Sequence, residues 1–232
     1  RGLELAAKMG HEALVVGFTY AQLRALKVSS AKQTVVQNRL VADREKQVKA
    51  LIEKYRHTGQ KISHRVVWTE ESDAWVTKQC AGGGYLGVVV RSGVGAGSGV
   101  HTSTNWGLLR ECAAPVLLVA KNKWNRVKPV LVTLDLLTRS RSKKALNHKL
   151  LGIAVKLAQI LDVDLEIITA IEIPTLLADL DLVDPIAYTK DARESMQPQI
   201  RKLAAEFDLP EAAFRTKRGP VELVITSRAA KV

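Results

Sequence analysis

The sequence is poor in several residue types that mark specialised proteins. Its 232 residues include two cysteines and 5% aromatic residues, and no apolar run approaches the roughly 20 residues of a membrane-spanning helix. A disulfide-stabilised secreted domain and a helical membrane protein are therefore excluded. Residues 1–10 also lack the apolar stretch of a signal peptide, so we expect a protein of the reducing cytoplasm.

Acidic residues are also scarce relative to basic ones. The chain has 35 Lys and Arg against 23 Asp and Glu, a formal charge of +12. Residues 1–126 carry 19 basic and 9 acidic side chains, a net charge of +10, whereas residues 127–232 carry 16 and 14, a net charge of +2. An anionic partner would bind the first half more readily than the second. The alternative is that the basic residues of the predicted helix at 31–57 only form an ordinary solvated surface. Nucleic acid stays an alternative partner, although no aromatic residues are interleaved with the basic ones to favour nucleic-acid binding.

The chain does contain alternating apolar runs of strand length and stretches of helical period, the pattern of an α/β fold with parallel sheets. We predict helices over 1–9, 31–57, 72–81, 105–113, 140–161, 185–207 and from 220 onward, and strands over 13–20, 62–69, 85–90, 115–120, 129–135, 165–173 and 213–216. The near-continuous apolar runs at 86–90 and 116–119 predict strands that helices bury on both faces.

An internal repeat relates the two halves. The helix end at 5–7 and the strand that starts at 13 match the helix end at 157–159 and the strand that starts at 165, with an offset of 152. A later match of 75–77 with 224–226 has an offset of 149. A period near 150 predicts two copies of one domain, at 1–126 and 127–232. By this alignment we expect the first copy to lack its opening strand and the second copy to lack its C-terminal strands.

A glycine-rich segment, RSGVGAGSGV at 91–100, follows a predicted strand and precedes a predicted helix. Ligand loops of α/β sheets lie at such strand ends, and glycines let backbone N–H groups approach phosphate oxygens. The segment matches neither the P-loop pattern G-x-x-x-x-G-K-[ST] nor the dinucleotide pattern G-x-G-x-x-G. A phosphate-binding loop and a plain connector both remain open.

The segment NWGLLRECAAPVLLV at 105–119 resembles the closing helix and strand of universal stress protein domains, in the tandem-domain E type. The segments KALNHKL at 144–150 and DPIAY at 184–188 are similar to the second domain of that type. The resemblance implies two tandem domains of the adenine nucleotide alpha-hydrolase-like fold with five-stranded parallel sheets, the second incomplete here. It also implies that domains pair through the strand at 116–119, as a pseudo-dimer of the two copies or as a homodimer.

ATP-binding members of this family use an acid that ends the first strand, a residue on the second strand beside the adenine, and a phosphate loop G-x-x-G-x9-G-[ST]. The first domain departs from that pattern. The spacing is present at Gly84, Gly87 and Gly97, but the first two of these glycines lie before or inside the strand and not after it. Thr102 stands where the last glycine belongs, and Phe18 would crowd the adenine. The first domain is therefore expected to be degenerate for nucleotide.

The second domain fits the family pattern better. Asp135 falls at the position of the acid, Thr133 stands two residues before it, and Ala170 takes the second-strand position with little bulk. A carboxylate there would accept hydrogen bonds from ribose hydroxyls. The alternative is that Asp135 only caps the helix that follows. The resemblance thus implies a site for ATP or another adenine nucleotide at Thr133, Asp135 and Ala170.

Other chemistry is not indicated by the sequence. The five histidines lack metal-ligand spacing, and Cys80 and Cys112 do not form a C-x-x-C pair, so we expect no metal and no catalytic residue. We predict a non-enzymatic stress-response module with at most weak ATP hydrolysis. The alternative is a nucleotide-free scaffold that binds a protein, lipid or nucleic-acid partner through a groove or through its basic first domain.

Overall fold

The structure is a computed structural model, and it describes residues 1–25, 29–91, 101–119, 128–174 and 183–231, with the backbone alone for residues 24 and 101–105. The chain divides into two compact units, Arg1–Lys123 and Trp124–Val232, called the first and the second unit below. Among the described residues no helix is both long and apolar enough to cross a membrane. The glycine-rich residues 92–100 and the segments 120–127 and 175–182 lie outside the described residues.

The first unit alternates helices and strands as the apolar periodicity predicts. Its helices are α1 (Gly2–Lys8), α2 (Ser30–Tyr55), α3 (Ser72–Ala81) and α4 (His101–Glu111). Its strands are β1 (Ala13–Thr19), β2 (Ile62–Trp68), β3 (Val88–Arg91) and β4 (Val116–Val119), and a 3-10 turn lies at Leu23–Ala25. The predicted strand over 85–90 begins later than expected, because its ladder to β4 starts where Val88 N donates to Pro115 O at 2.8 Å.

The second unit continues the same alternation. Its helices are α5 (Arg141–Leu161), α6 (Pro185–Glu206) and α7 (Val221–Ala229), and its strands are β5 (Val130–Thr133), β6 (Leu165–Ile171) and β7 (Phe214–Arg218). A 3-10 turn lies at Glu211–Ala213. β6 corresponds to β1, and β7 to β2, at the offset of 152 found in the sequence. The repeat therefore reflects a common order of elements.

Every described strand pair is parallel. In the first unit β1 pairs with β2, from Ala13 opposite Ile62 to Thr19 opposite Trp68. β3 pairs with β4 in a separate two-stranded ladder. α2 packs closely on β1, since a Cβ on Gly17 would lie only 2.6 Å from Val48 Cγ2, and any residue larger than glycine would push α2 away.

In the second unit β6 lies between β5 and β7 in a three-stranded parallel sheet. One face of this sheet packs under α5 and α6 in a continuous apolar core. The fully buried side chains of that core are Leu151, Ile167, Ile171 and Met196. The core is continuous because α5 presents one apolar stripe to the sheet. The helix begins after its N-cap Ser140 and ends at its C-cap Asp162, whose φ is 55°.

The prediction that β3 and β4 are buried on both faces is wrong for the described residues. Val89 is 41% exposed, and every residue of β4 is half-buried. The reason is that β3 and β4 pair only with each other in the part of the chain that the structure describes. The described strands form sheets of two, two and three strands, and the five-stranded sheets stay a prediction.

Candidate functional site

The three residues predicted to bind a nucleotide lie at the carboxyl edge of β5 and β6. Thr133 ends β5 opposite Ile168, and Ala170 lies two residues beyond Ile168, so Thr133 and Ala170 share one face of the sheet. Both are half-buried. Asp135 follows β5, and its side chain is 50% exposed. The fold therefore brings a small residue, a hydroxyl and an accessible carboxylate to one edge of the sheet.

The backbone at Asp135 is held by Asn147, which is only 4% exposed on α5. Asp135 N donates to Asn147 Oδ1 at 3.2 Å, and Asn147 Nδ2 donates to Asp135 O at 2.7 Å. One step earlier, Thr169 Oγ1 donates to Leu134 O at 2.9 Å. These bonds fix the turn after β5. Sequence reasoning missed the role of Asn147, although a buried amide inside a helix is a detectable signal.

The Asp135 carboxylate faces the first turn of α5. Lys143 Nζ lies 3.4 Å from Asp135 Oδ2, and both side chains are well exposed. The N-cap of α5 is Ser140, whose Oγ accepts from Lys143 N at 3.5 Å. The prediction that Asp135 caps this helix is therefore wrong, because the turn at 136–139 places Ser140, and not Asp135, at the helix start.

The N-terminus of α5 is unusually basic. Its first turn holds Arg141, Lys143 and Lys144 and no acidic residue. Cations oppose the helix dipole at this end, where acidic residues are the stabilising choice, so an anion bound here would relieve the repulsion. The edge thus combines an accessible carboxylate with a cationic helix start, a charge pattern that suits a ligand with hydroxyl and phosphate groups.

A partly buried ion pair lies on the same face of β6, further from the carboxyl edge. Glu166 makes a bidentate pair with Arg228 of α7, and Arg215 Nε lies 4.0 Å from Glu166 Oε1. The hydrogen bond to Glu166 raises the pKa of Arg228. Since Glu166 is already satisfied, this pair serves to attach α7 to the sheet.

The corresponding edge of the first unit is filled by aromatic side chains. Phe18 packs edge-on against Trp75, with ring centroids 5.6 Å apart, and Arg65 lies over the same Trp75 ring at 5.9 Å. Tyr20 packs against Trp68 at 5.6 Å. The side chains at 102 and 103, like the glycines of 92–100, lie outside what the structure describes.

The basic residues of α2 are partly engaged within the protein. Arg44 Nε donates to Phe18 O at 2.9 Å, Lys49 pairs with Glu45 at 2.8 Å, and Arg56 pairs with Glu53 at 3.4 Å. These bonds tie cations to neighbouring acids and to β1. They reduce the charge that α2 would offer to a nucleic acid.

A metal site and a nucleophilic Cys80 find little support in the described residues. No group of three or more His, Cys, Asp or Glu side chains there could hold a metal ion. Cys80 is buried and Cys112 half-buried, as expected for small packing residues. Burial, followed by the hydrogen bond to Cys112, raises the pKa of the Cys80 thiol to about 11. Cys80 is therefore a poor nucleophile.

One cavity of the second unit does not coincide with the predicted site. It has a volume of about 580 Å³ and lies at the opposite, amino edge of β6, near Asp162, Asp164 and Asp208. Three carboxylates would repel a phosphate. The carboxyl edge of β5 and β6 is thus a better candidate for an anionic ligand than this cavity is.

Comparisons with known proteins agree with the architecture. No family model matches the chain. The chain is 23% identical to Universal stress protein E of Escherichia coli K12 over 220 residues, which cover 93% of this chain and 69% of that protein. It is also 23% identical over 135 residues to a Universal stress protein E homolog of Haemophilus influenzae, covering 57% and 43% of the two chains.

Two solved structures share the fold. A putative universal stress protein of Pseudomonas aeruginosa UCBPP-PA14 superposes with a TM-score of 0.63 and 17% identity, covering 95% of this chain and 78% of that one. A functionally unknown protein of Pseudomonas aeruginosa PAO1 gives a TM-score of 0.65 and 16% identity, covering 100% and 72%. At these identities the two structures support the fold alone.

Proposed function

Because this chain belongs to the universal stress protein family, in its tandem-domain type, we propose that it acts in the stress response and that its second unit binds ATP or another adenine nucleotide. The ligand would lie at the carboxyl edge of β5 and β6, beside Thr133, Asp135 and Ala170. A cytoplasmic location is part of the same proposal. The observation that carries the nucleotide is the half-exposed Asp135 carboxylate beside the basic start of α5.

Each group at this edge has a chemical role in the proposal. The Asp135 carboxylate accepts hydrogen bonds from the two ribose hydroxyls, which both donate. Ala170 leaves room for a flat base on the face it shares with Thr133. Lys143, now paired with Asp135 at 3.4 Å, turns toward the phosphates together with Lys144. Asn147 is a positioning residue, because it holds the Asp135 backbone and touches no ligand.

The proposal assigns no catalytic residue. Nucleotide hydrolysis needs a base that activates water and a charge that stabilises the leaving phosphate. In this proposal the Asp135 carboxylate holds the ribose, and no described residue is given either of these roles. We therefore propose a binding module, and not an enzyme.

Calorimetric titration with Mg-ATP tests the proposal. We expect saturable heat with the parent protein and none with Asp135→Ala, whose thermal unfolding should be unchanged because the side chain is exposed. Asp164→Ala is the matched control: Asp164 is exposed at the opposite edge, and its contact to Val130 is made by its backbone oxygen, which alanine keeps. If Mg-ATP releases no heat and ADP and AMP show no competition, the nucleotide proposal is wrong and the nucleotide-free scaffold is the remaining alternative.

A further inference from the structure

The two cysteines of the chain come together in the first unit, although they lie far apart in the sequence. Cys80 lies in the last turn of α3, and Cys112 directly follows α4. Both are free thiols, and their side chains are hydrogen-bonded to each other. Their spacing in the sequence matches no C-x-x-C motif. The pair is therefore formed by the tertiary structure alone.

The packing of α3 against α4 explains how the two thiols meet. A Cβ on Gly107 of α4 would lie 3.0 Å from Asp73 Oδ2 of α3, so the two helices approach closely at this point. Cys80 follows Asp73 by seven residues, which is about two helical turns, and it therefore lies on the same face of α3. Cys112 N donates to Leu108 O at 3.0 Å, which extends the hydrogen bonding of α4 to Cys112. The interface that brings Asp73 to Gly107 thus continues to the two thiols.

The two thiols differ in their access to solvent. Cys80 is 5% exposed, whereas Cys112 is half-buried. Burial, and then the hydrogen bond to Cys112, raises the pKa of Cys80. A hydrogen bond that raises the pKa of a thiol is one in which the neutral thiol donates, so the Cys80 S–H donates to the Cys112 sulfur. Cys112 is thus the thiol that a small oxidant can reach, and Cys80 is the thiol held against it.

We infer that Cys112 and Cys80 form a site of oxidation by hydroperoxides, at which Cys112 is oxidised first and Cys80 then closes an intramolecular disulfide. Hydrogen peroxide is the smallest oxidant of this class. The bond ties the end of α3 to the end of α4. This inference goes beyond the proposed function and does not depend on it, because it concerns the first unit and needs no nucleotide.

The oxidation consists of two steps. The Cys112 thiolate attacks one peroxide oxygen and the O–O bond breaks, which gives the Cys112 sulfenic acid and a hydroxide that takes up the proton lost by Cys112. The Cys80 sulfur then attacks the Cys112 sulfur: the S–S bond forms, the S–O bond breaks, and the departing hydroxide takes the Cys80 proton. Two thiols and one hydrogen peroxide thus give one disulfide and two water molecules. Two electrons pass from the sulfurs to the peroxide oxygens.

The surroundings of Cys112 allow this closure. Two thiols in hydrogen-bond contact must approach by about 1–2 Å to reach the S–S bond length of about 2.05 Å. Cys80 lies within a helix turn, and its backbone oxygen accepts from Gly83 N at 3.0 Å. Cys112 lies in the short connection between α4 and β4, where a half-buried side chain has room to move. The shift is therefore expected at Cys112.

Peptide mapping after peroxide treatment tests the inference. The reduced full chain is treated with hydrogen peroxide in the presence of dimedone, which traps sulfenic acids. The remaining thiols are then blocked with iodoacetamide, and the protein is cleaved with trypsin. We expect the peptides 79–91 and 111–121 to be joined by a bond that dithiothreitol breaks. Because the chain has only two cysteines, the linked peptides identify the pair.

Two single-cysteine variants separate the roles of the thiols. Cys80→Ala leaves the Cys112 sulfenic acid without its partner, so dimedone should label Cys112 in this variant and not in the parent protein. Cys112→Ser leaves only the buried Cys80, which should react with peroxide at least about tenfold more slowly than Cys112 does in Cys80→Ala.

A measurement on the parent chain alone does not depend on the folding of the variants. In glutathione redox buffers, the equilibrium constant for the disulfide should be at least about tenfold larger in the native protein than in urea, because the fold holds the thiols together. The inference would be overturned by any of four results: no oxidation by peroxide, a disulfide-linked dimer in place of the intramolecular link, equal reactivity of the two variants, or an equilibrium constant no larger than that in urea.

Discussion

The second unit contains a continuous buried core, whereas the first unit leaves much of its apolar sheet surface half-exposed. The buried cluster that joins Val132, Leu151, Ile171 and Met196 lies entirely within the second unit. Among the described residues of the first unit, the buried apolar side chains are few and scattered, and they include Val48 and Ile52 on α2 and Leu108 on α4. The two units nevertheless share an order of elements and similar apolar strand sequences.

The difference shows that a strand is buried by its neighbours and not by its own composition. β6 has a strand on each edge and α5 and α6 over one face, and its side chains are almost fully buried. β1 is as apolar as β6 but has one strand partner among the described residues. Apolar surface stabilises a fold only in proportion to the area removed from water, so equal strands contribute unequally in the two units.

The largest expected effect comes from the same truncation in each unit. Leu151→Ala removes a side chain that is 0% exposed, and we expect the free energy of unfolding of the second unit to fall by about 2–5 kcal/mol. Leu14→Ala, at a leucine that is 39% exposed, should lower that of the first unit by less than about 1 kcal/mol.

Urea unfolding that is monitored by hydrogen exchange measures the change in the free energy of unfolding of each unit. The amides of β6 report on the second unit and those of β1 on the first. Equal losses at the two leucines would contradict the contrast between the units.

A smaller effect is expected at two side-chain amides that bridge backbone groups. Asn147→Ala leaves Asp135 N and O without their buried partner, and we expect a loss of about 1–3 kcal/mol in the free energy of unfolding. Gln60 makes a similar bridge in the first unit, between Leu3 O and His57 N, but beside water. Gln60→Ala should therefore lower the free energy of unfolding by less than Asn147→Ala does in the same urea assay. The reverse order would show that burial does not determine how much these hydrogen bonds stabilise the fold.

The smallest effect is a pH dependence confined to the first unit. The hydrogen bond from Lys49, and then that from His64, holds the pKa of Glu45 below its ordinary value of 4.5. Because the folded pKa is lower than the unfolded one, the stabilisation is complete above about pH 4.5 and is lost as the pH falls through the folded value. NMR titration should give a Glu45 midpoint below 4.5, rising toward it in Lys49→Met. An unchanged midpoint in that variant would assign the shift to His64.

The order of helices and strands was predictable from the sequence, and most of their bounds were as well. Apolar residues recur along α5 at spacings of three and four, which predicts a helix, although Leu146 and Leu150 of that series are exposed and Leu151 is buried. Pro185 starts α6 behind its cap Asp184, and Asp184 Oδ1 accepts from Ile186 N at 2.8 Å. These signals are local, so they survive folding. The burial of β3 was not predictable, because it depends on which strands pair with it.

The candidate site was predictable only in part. The position of Asp135 after a strand was found from the family pattern, but its relation to α5 was not. Spacing alone left the helix cap open, and the structure gives that role to Ser140. Asn147 lies twelve residues from Asp135, and the folded turn after β5 brings the two together.

The sequence by itself determined the order of helices and strands and the repeat near 150 residues, because periodicity, glycines and caps act over a few residues. Tertiary structure alone decided which strands gained two neighbours, which carboxylate stayed accessible and which amide held the turn beside it. Those outcomes depend on contacts between residues far apart in the chain. Their energies come from surface removed from water and from buried bonds, and neither exists until the elements pack.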